Sequence, residues 1–91
     1  MSSMTIQERH RLARLRTDYR NAWLHLLSEV EALRAAAQSD APDPATLATL
    51  RARAEKAGNE YRIARNAFAA ALLQLRAPAA GRAVAAGCHA A

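Results

Sequence analysis

Apolar side chains recur at intervals of three and four in two stretches of the chain. The first runs Leu12, Leu15, Tyr19, Ala22 with Trp23, Leu26, Val30 and Leu33, and the second Leu47, Leu50, Ala54, Ala57, Tyr61, Ala64, Phe68, Ala71 and Leu75. Only a helix gathers residues at that spacing onto one face, so the pattern predicts two long helices and an all-α fold. The second run keeps its period long enough to be a coiled-coil-like seam.

Local signals set the ends. Thr5-Ile6-Gln7-Glu8 fits a capping box, in which hydroxyl and carboxylate reciprocally satisfy backbone donors at a helix start. Ser39-Asp40-Ala41-Pro42-Asp43-Pro44 stops one helix and starts the next, with Asp43 as N-cap and Pro44 as the first helical residue. The expected organisation is a helical hairpin over residues 1–76, with helix 1 at about 5–38, a turn at 39–43 and helix 2 at about 44–76. An Ala- and Gly-rich flexible tail follows at 77–91. A connection this short makes the helices antiparallel neighbours. In the register where paired positions sum to about 83, Leu33 meets Leu50, Leu26 meets Ala57, Ala22 meets Tyr61, Tyr19 meets Ala64, Leu15 meets Phe68 and Leu12 meets Ala71. Large residues then face small ones in most layers, which permits close approach.

Two positions beside the seam need a decision. Glu29 falls on it, where an unpaired charge is costly. Arg51 or Arg53 can reach it, but the simpler expectation is that Val30 turns inward and leaves the carboxylate at the rim. Trp23 falls opposite Gly58, and a helical glycine costs about 1 kcal/mol against alanine, so Gly58 is expected to form a notch for the indole.

Composition changes the picture because much of the apolar content is small. Of 91 residues 25 are Ala and only 11 are Leu, so helix formation is favoured while little bulk remains to hold helices together. The large residues lying off the seam, Leu24, Leu27, Ile63, Leu72 and Leu73, together with Trp23, are therefore candidate interface residues. Contiguous exposed apolar surface marks association sites. The expected outcome is a homodimer forming a four-helix bundle.

Charge is distributed unevenly. Thirteen basic residues stand against eight acidic ones, a surplus of +5. In the hairpin's open half, residues 1–20 and 62–91, nine basic residues face two acidic ones, giving +7; residues 21–61 hold four against six, giving −2. Arg9, Arg11, Arg14, Arg16, Arg20, Arg62, Arg65 and Arg76 form a candidate basic patch. Cations at a helix N-terminus oppose the macrodipole, so this clustering is not explained by helix stability and suits an acidic or polyanionic partner.

No spacing of His, Cys, Asp and Glu suggests catalysis or metal binding. His25 falls near Glu60 as a rim pair, and Cys88-His89 offers two ligands where a site needs more. The expectation is a non-enzymatic protein without cofactor or metal. The lone Cys88 precludes an intrachain disulfide and suits the cytoplasm, and no segment reads as a membrane span. The sequence therefore points to a helical protein–protein interaction module, an adaptor, chaperone-like subunit or inhibitor, working through helix faces. Its alternative is a nonspecific nucleic-acid binder using the Arg-rich open end.

Overall fold

The computed structural model describes residues 4–76, with side chains to residue 75. The expectations for the 77–91 tail, for Cys88 and for the Arg76 and Arg82 side chains lie outside the described residues. The architecture is two helices, α1 (Ile6–Ala37) and α2 (Pro44–Arg76), packed along one another with no strand among the described residues. At 1.5 Å per residue the 32 residues of α1 run about 48 Å.

Both helix starts use the side chains that mark them in the sequence. The Glu8 N–H donates to Thr5 Oγ1 at 3.0 Å and the Thr5 N–H to Glu8 Oε1 at 3.4 Å, completing the capping box. Asp43 Oδ2 accepts from the Thr46 N–H at 3.0 Å and from its hydroxyl at 2.7 Å. These hydrogen bonds stabilise the ionised carboxylate and hold the Asp43 pKa below its ordinary value. At its other end α1 closes on Gln38, whose N–H donates to Arg34 O at 3.0 Å, and on the Ser39 hydroxyl, which donates to Ala36 O at 3.0 Å. No positive φ is needed to leave the helix.

The seam follows the period of three and four. Leu12, Leu15, Tyr19, Ala22, Leu26 and Leu33 from α1 meet Leu47, Leu50, Ala54, Tyr61, Ala64 and Phe68 from α2, all half-buried, with Ala57 fully enclosed and Ala71 buried. Aromatic rings fill its middle. Tyr19 stacks on Tyr61 and on Phe68 at centroid distances of 5.6 and 5.8 Å, and Trp23 tilts against Tyr61 at 5.3 Å. Each such pair contributes about 0.5–1.5 kcal/mol beyond area burial. Tyr61 also raises the Tyr19 pKa, first by a hydrogen bond and then by charge repulsion, with Arg65 opposing. Among the described residues no large side chain is fully buried. Two helices enclose alanines but only half-cover rings and leucines.

Three expectations about the seam need correction. Glu29 is buried at 6% exposure and Val30 is the residue left outside, at 37%. The helical period continues from Leu26 through position 29 to Leu33, and the backbone does not rotate to spare a carboxylate that Arg53 can meet. The Trp23 indole does not occupy a notch at Gly58. A Cβ on that glycine would meet only Leu26 Cδ1, at 3.9 Å, because the indole leans along the helix onto Tyr61. Leu75 lies outside the seam, beside Glu8 and Leu12, because α1 has reached its polar first turn there.

Candidate functional site

The hairpin has two flanks, and residues seven apart stack in columns along each. On one flank Arg9, Arg16, Trp23 and Val30 form the α1 column, and Arg51, Gly58, Arg65 and Leu72 the α2 column. On the other, α1 presents Arg11, Asp18, His25 and Ala32, and α2 presents Arg53, Glu60, Ala67 and Gln74. Hollows between the helices confirm this sorting. Met4, Arg9, Leu12, Ala13, Arg16, Phe68 and Leu72 line one at the open end of the first flank, while His25, Glu29, Arg53, Lys56 and Glu60 line one midway along the second.

The first flank is apolar along its centre. Trp23 and Leu27 are 43% and 41% exposed, and with Val30 they sit at i, i+4 and i+7, a continuous stripe on α1. Leu24 adjoins it toward the outside. Leu72 lies about two turns or more toward the open end, half-buried against Phe68. The six interface candidates therefore do not form one patch. Trp23, Leu24 and Leu27 are together, Leu72 belongs to the groove with Met4, and Ile63 and Leu73, at 70% and 66% exposure, lie on the outward side of α2. Val30 and Met4 complete the apolar stripe and groove. Val30 was missed because the seam was expected to claim it, although its seven-residue spacing from Trp23 was visible.

The cations of this flank have no carboxylate in their columns. Arg65 lies with its guanidinium carbon 5.7 Å from the Tyr61 ring centroid, a cation–π contact continuing the aromatic cluster. Its Nε and Nη2 also approach Asn66 Oδ1 at 3.4 Å. The basic residues do not form one surface: Arg9 and Arg16 border the apolar groove, Arg20 falls in line with Leu27 seven residues on, Arg11 lies on the other flank with Glu8 and Gln74, Arg14 belongs to neither flank's columns, and Arg62 bonds to Asn59 on α2. The open end is ringed by cations, with its densest association to apolar surface on the first flank.

The second flank closes on itself. Arg53 Nη2 donates to Glu29 Oε1 at 2.9 Å, and His25 Nε2 lies 4.0 Å from the same oxygen. His25 thus pairs most closely within its own helix, and Glu60 only shares the hollow. Glu29 Oε2 is buried without a hydrogen-bond partner among the described residues. An unsatisfied buried polar atom costs about 1–3 kcal/mol, more than the roughly 0.2–1 kcal/mol that an ion pair with one exposed partner returns. This layer is therefore no source of net stability.

Among the described residues no group of three His, Cys, Asp or Glu side chains is placed to hold a metal ion, and no helix is long and apolar enough to cross a membrane. The fold and surfaces define a two-helix antiparallel hairpin with one apolar, cation-bordered flank. Comparison with protein-family models, with curated proteins and with solved structures returns no match.

Proposed function

We propose that this chain is a non-enzymatic interaction module that takes a partner helix against its apolar flank, as an adaptor, chaperone-like subunit or inhibitor does. The observation that carries the reading is the stripe of Trp23, Leu27 and Val30, left in water by a hairpin in which no large side chain is fully buried among the described residues. A third helix over the groove supplies the missing side of the core, and amphipathic helices engage such grooves through anchors at i, i+3 or i+4, and i+7. A second copy, giving the four-helix bundle, and a nucleic-acid backbone held by the arginines are the competing occupants. The lone cysteine suits a reducing, cytoplasmic setting.

The test is photo-crosslinking in the native host, with the reactive side chain replacing Leu27 on the apolar flank or Asp18 on the opposite one. The reading expects adducts of defined mass from position 27 and none from position 18. Equal yields from both, or none from position 27, reject it. The mass and composition of the adduct separate a second copy, a different protein and a nucleic acid.

A further inference from the structure

The apolar flank carries a chemical preference as well as a shape. Its α1 column places Arg9 and Arg16 in line with Trp23 and Val30, and its α2 column places Arg51 and Arg65 in line with Gly58 and Leu72. Neither column holds a carboxylate. The opposite flank, by contrast, mixes Arg11 and Arg53 with Asp18 and Glu60, and engages Arg53 with Glu29 at 2.9 Å. The flank that leaves apolar side chains exposed is thus also the one whose charged column residues are all cations, with Glu55, a helical turn from Arg51, the one acid beside them among the described residues.

From this juxtaposition we infer that the occupant of the groove is an acidic amphipathic helix of another protein: apolar anchors on the Trp23, Leu27 and Val30 stripe, Glu or Asp on both its edges facing the arginine columns. The inference rests on the interaction-module reading and specifies the partner's chemistry. Packed helices lie about 8–10 Å apart, which brings carboxylates on the edges of a docked helix within one screening length of the guanidinium groups at physiological salt. A second copy fits less well. Whichever way it is turned, the charged residues of its own flank columns are Arg9, Arg16, Arg51 and Arg65, with no carboxylate in line to answer the guanidinium groups it meets. Juxtaposed like charges oppose association. Nucleic acid would satisfy the cations but leave the apolar stripe unused, since phosphate contacts ask for no leucine or valine.

The experiment titrates the full chain, followed by Trp23 emission, with three probes at low and physiological salt. These are a synthetic helix of Leu anchors edged by Glu, the same helix edged by Lys, and a DNA duplex of matching charge. The expected result is a blue shift and binding at least tenfold tighter to the Glu-edged helix than to either other probe. Arg9→Glu with Arg16→Glu is expected to lower that affinity by tenfold or more and to raise affinity for the Lys-edged helix. Both arginines are exposed, so this variant keeps its helical content, checked by circular dichroism. Equal affinity for the two helices, preference for the duplex, or a concentration-dependent blue shift of the chain alone each overturns the inference. If the Leu27 crosslink still captures a second copy or a nucleic acid, the interaction-module reading survives without it. If position 27 captures nothing, that reading falls first.

Discussion

The two flanks of the hairpin share a backbone and a heptad period, yet one pairs charges of opposite sign with each other and the other does not. On the polar flank Glu29, Arg53 and His25 answer one another, and charges of both signs alternate along the columns. On the apolar flank Trp23, Leu27 and Val30 face water, and Arg9 and Arg16 have no acid in line. The difference shows how a short chain divides its resources. Its bulky residues do not all go into the seam, where alanine occupies the only buried apolar positions among the described residues; several go to one side, where a two-helix fold cannot cover them.

The largest expected effect lies where the apolar flank joins the seam. Tyr61 touches Tyr19, Trp23 and the Arg65 guanidinium, so Tyr61→Ala is expected to cost about 3 kcal/mol of hairpin stability, read from urea unfolding followed by circular dichroism. A loss below about 1 kcal/mol would show that the ring cluster does not anchor the flank. On the polar flank, Arg53→Ala leaves Glu29 buried without its cation and is expected to cost about 1–2 kcal/mol. That is less than a fully buried pair because the Arg53 side chain is 58% exposed. Glu29→Leu removes the orphaned oxygen and fills the layer, and the same unfolding curve should shift upward by a similar amount. If both substitutions destabilise equally, the ion pair is a net stabiliser of the polar flank.

Gly58→Ala sharpens the comparison more finely. Its Cβ meets only Leu26 Cδ1 at ordinary contact distance, so the isolated chain should gain about 1 kcal/mol from helix propensity. Because Gly58 lies in the apolar flank's column, the same methyl should weaken binding of a helix seated there, and calorimetric titration with the Glu-edged helix reads that loss. The smallest effect belongs to neither flank. The Asp43 pKa is held below 3.8 by its hydrogen bonds from Thr46. Its stabilising contribution is therefore complete above that value and lost as pH falls through the lowered folded pKa. Amide protection factors at the start of α2 should fall in acid, and Asp43→Asn should flatten that dependence.

Much of the fold could be read from the residues. Thr5 with Glu8, and Asp43 with Pro44, mark both helix starts because capping chemistry is local. The seam is legible because a period of three and four has one structural solution. Expectation and structure part where a side chain's own preference competes with that period. Glu29 stays inward because rotating α1 to hide Val30 would displace Leu26 and Leu33. Trp23 escapes its expected notch because a register fixes which layer a residue occupies without fixing its rotamer. The candidate surfaces were legible as a list but not as a geometry. Ile63 and Leu73 share apolar character with Leu27 yet point elsewhere, and the arginines encircle the open end rather than forming a single patch.

The most direct measurement is urea unfolding of Leu27→Gln with and without the Glu-edged helix. The account predicts that the variant alone unfolds at the native chain's midpoint, within about 0.5 kcal/mol, because Leu27 supports no internal contact the hairpin needs. It also predicts that the added helix raises the native midpoint and leaves that of the variant unmoved. A variant that unfolds early yet is stabilised by the added helix as fully as the native chain would contradict the account, making Leu27 part of the core and the apolar flank no docking surface.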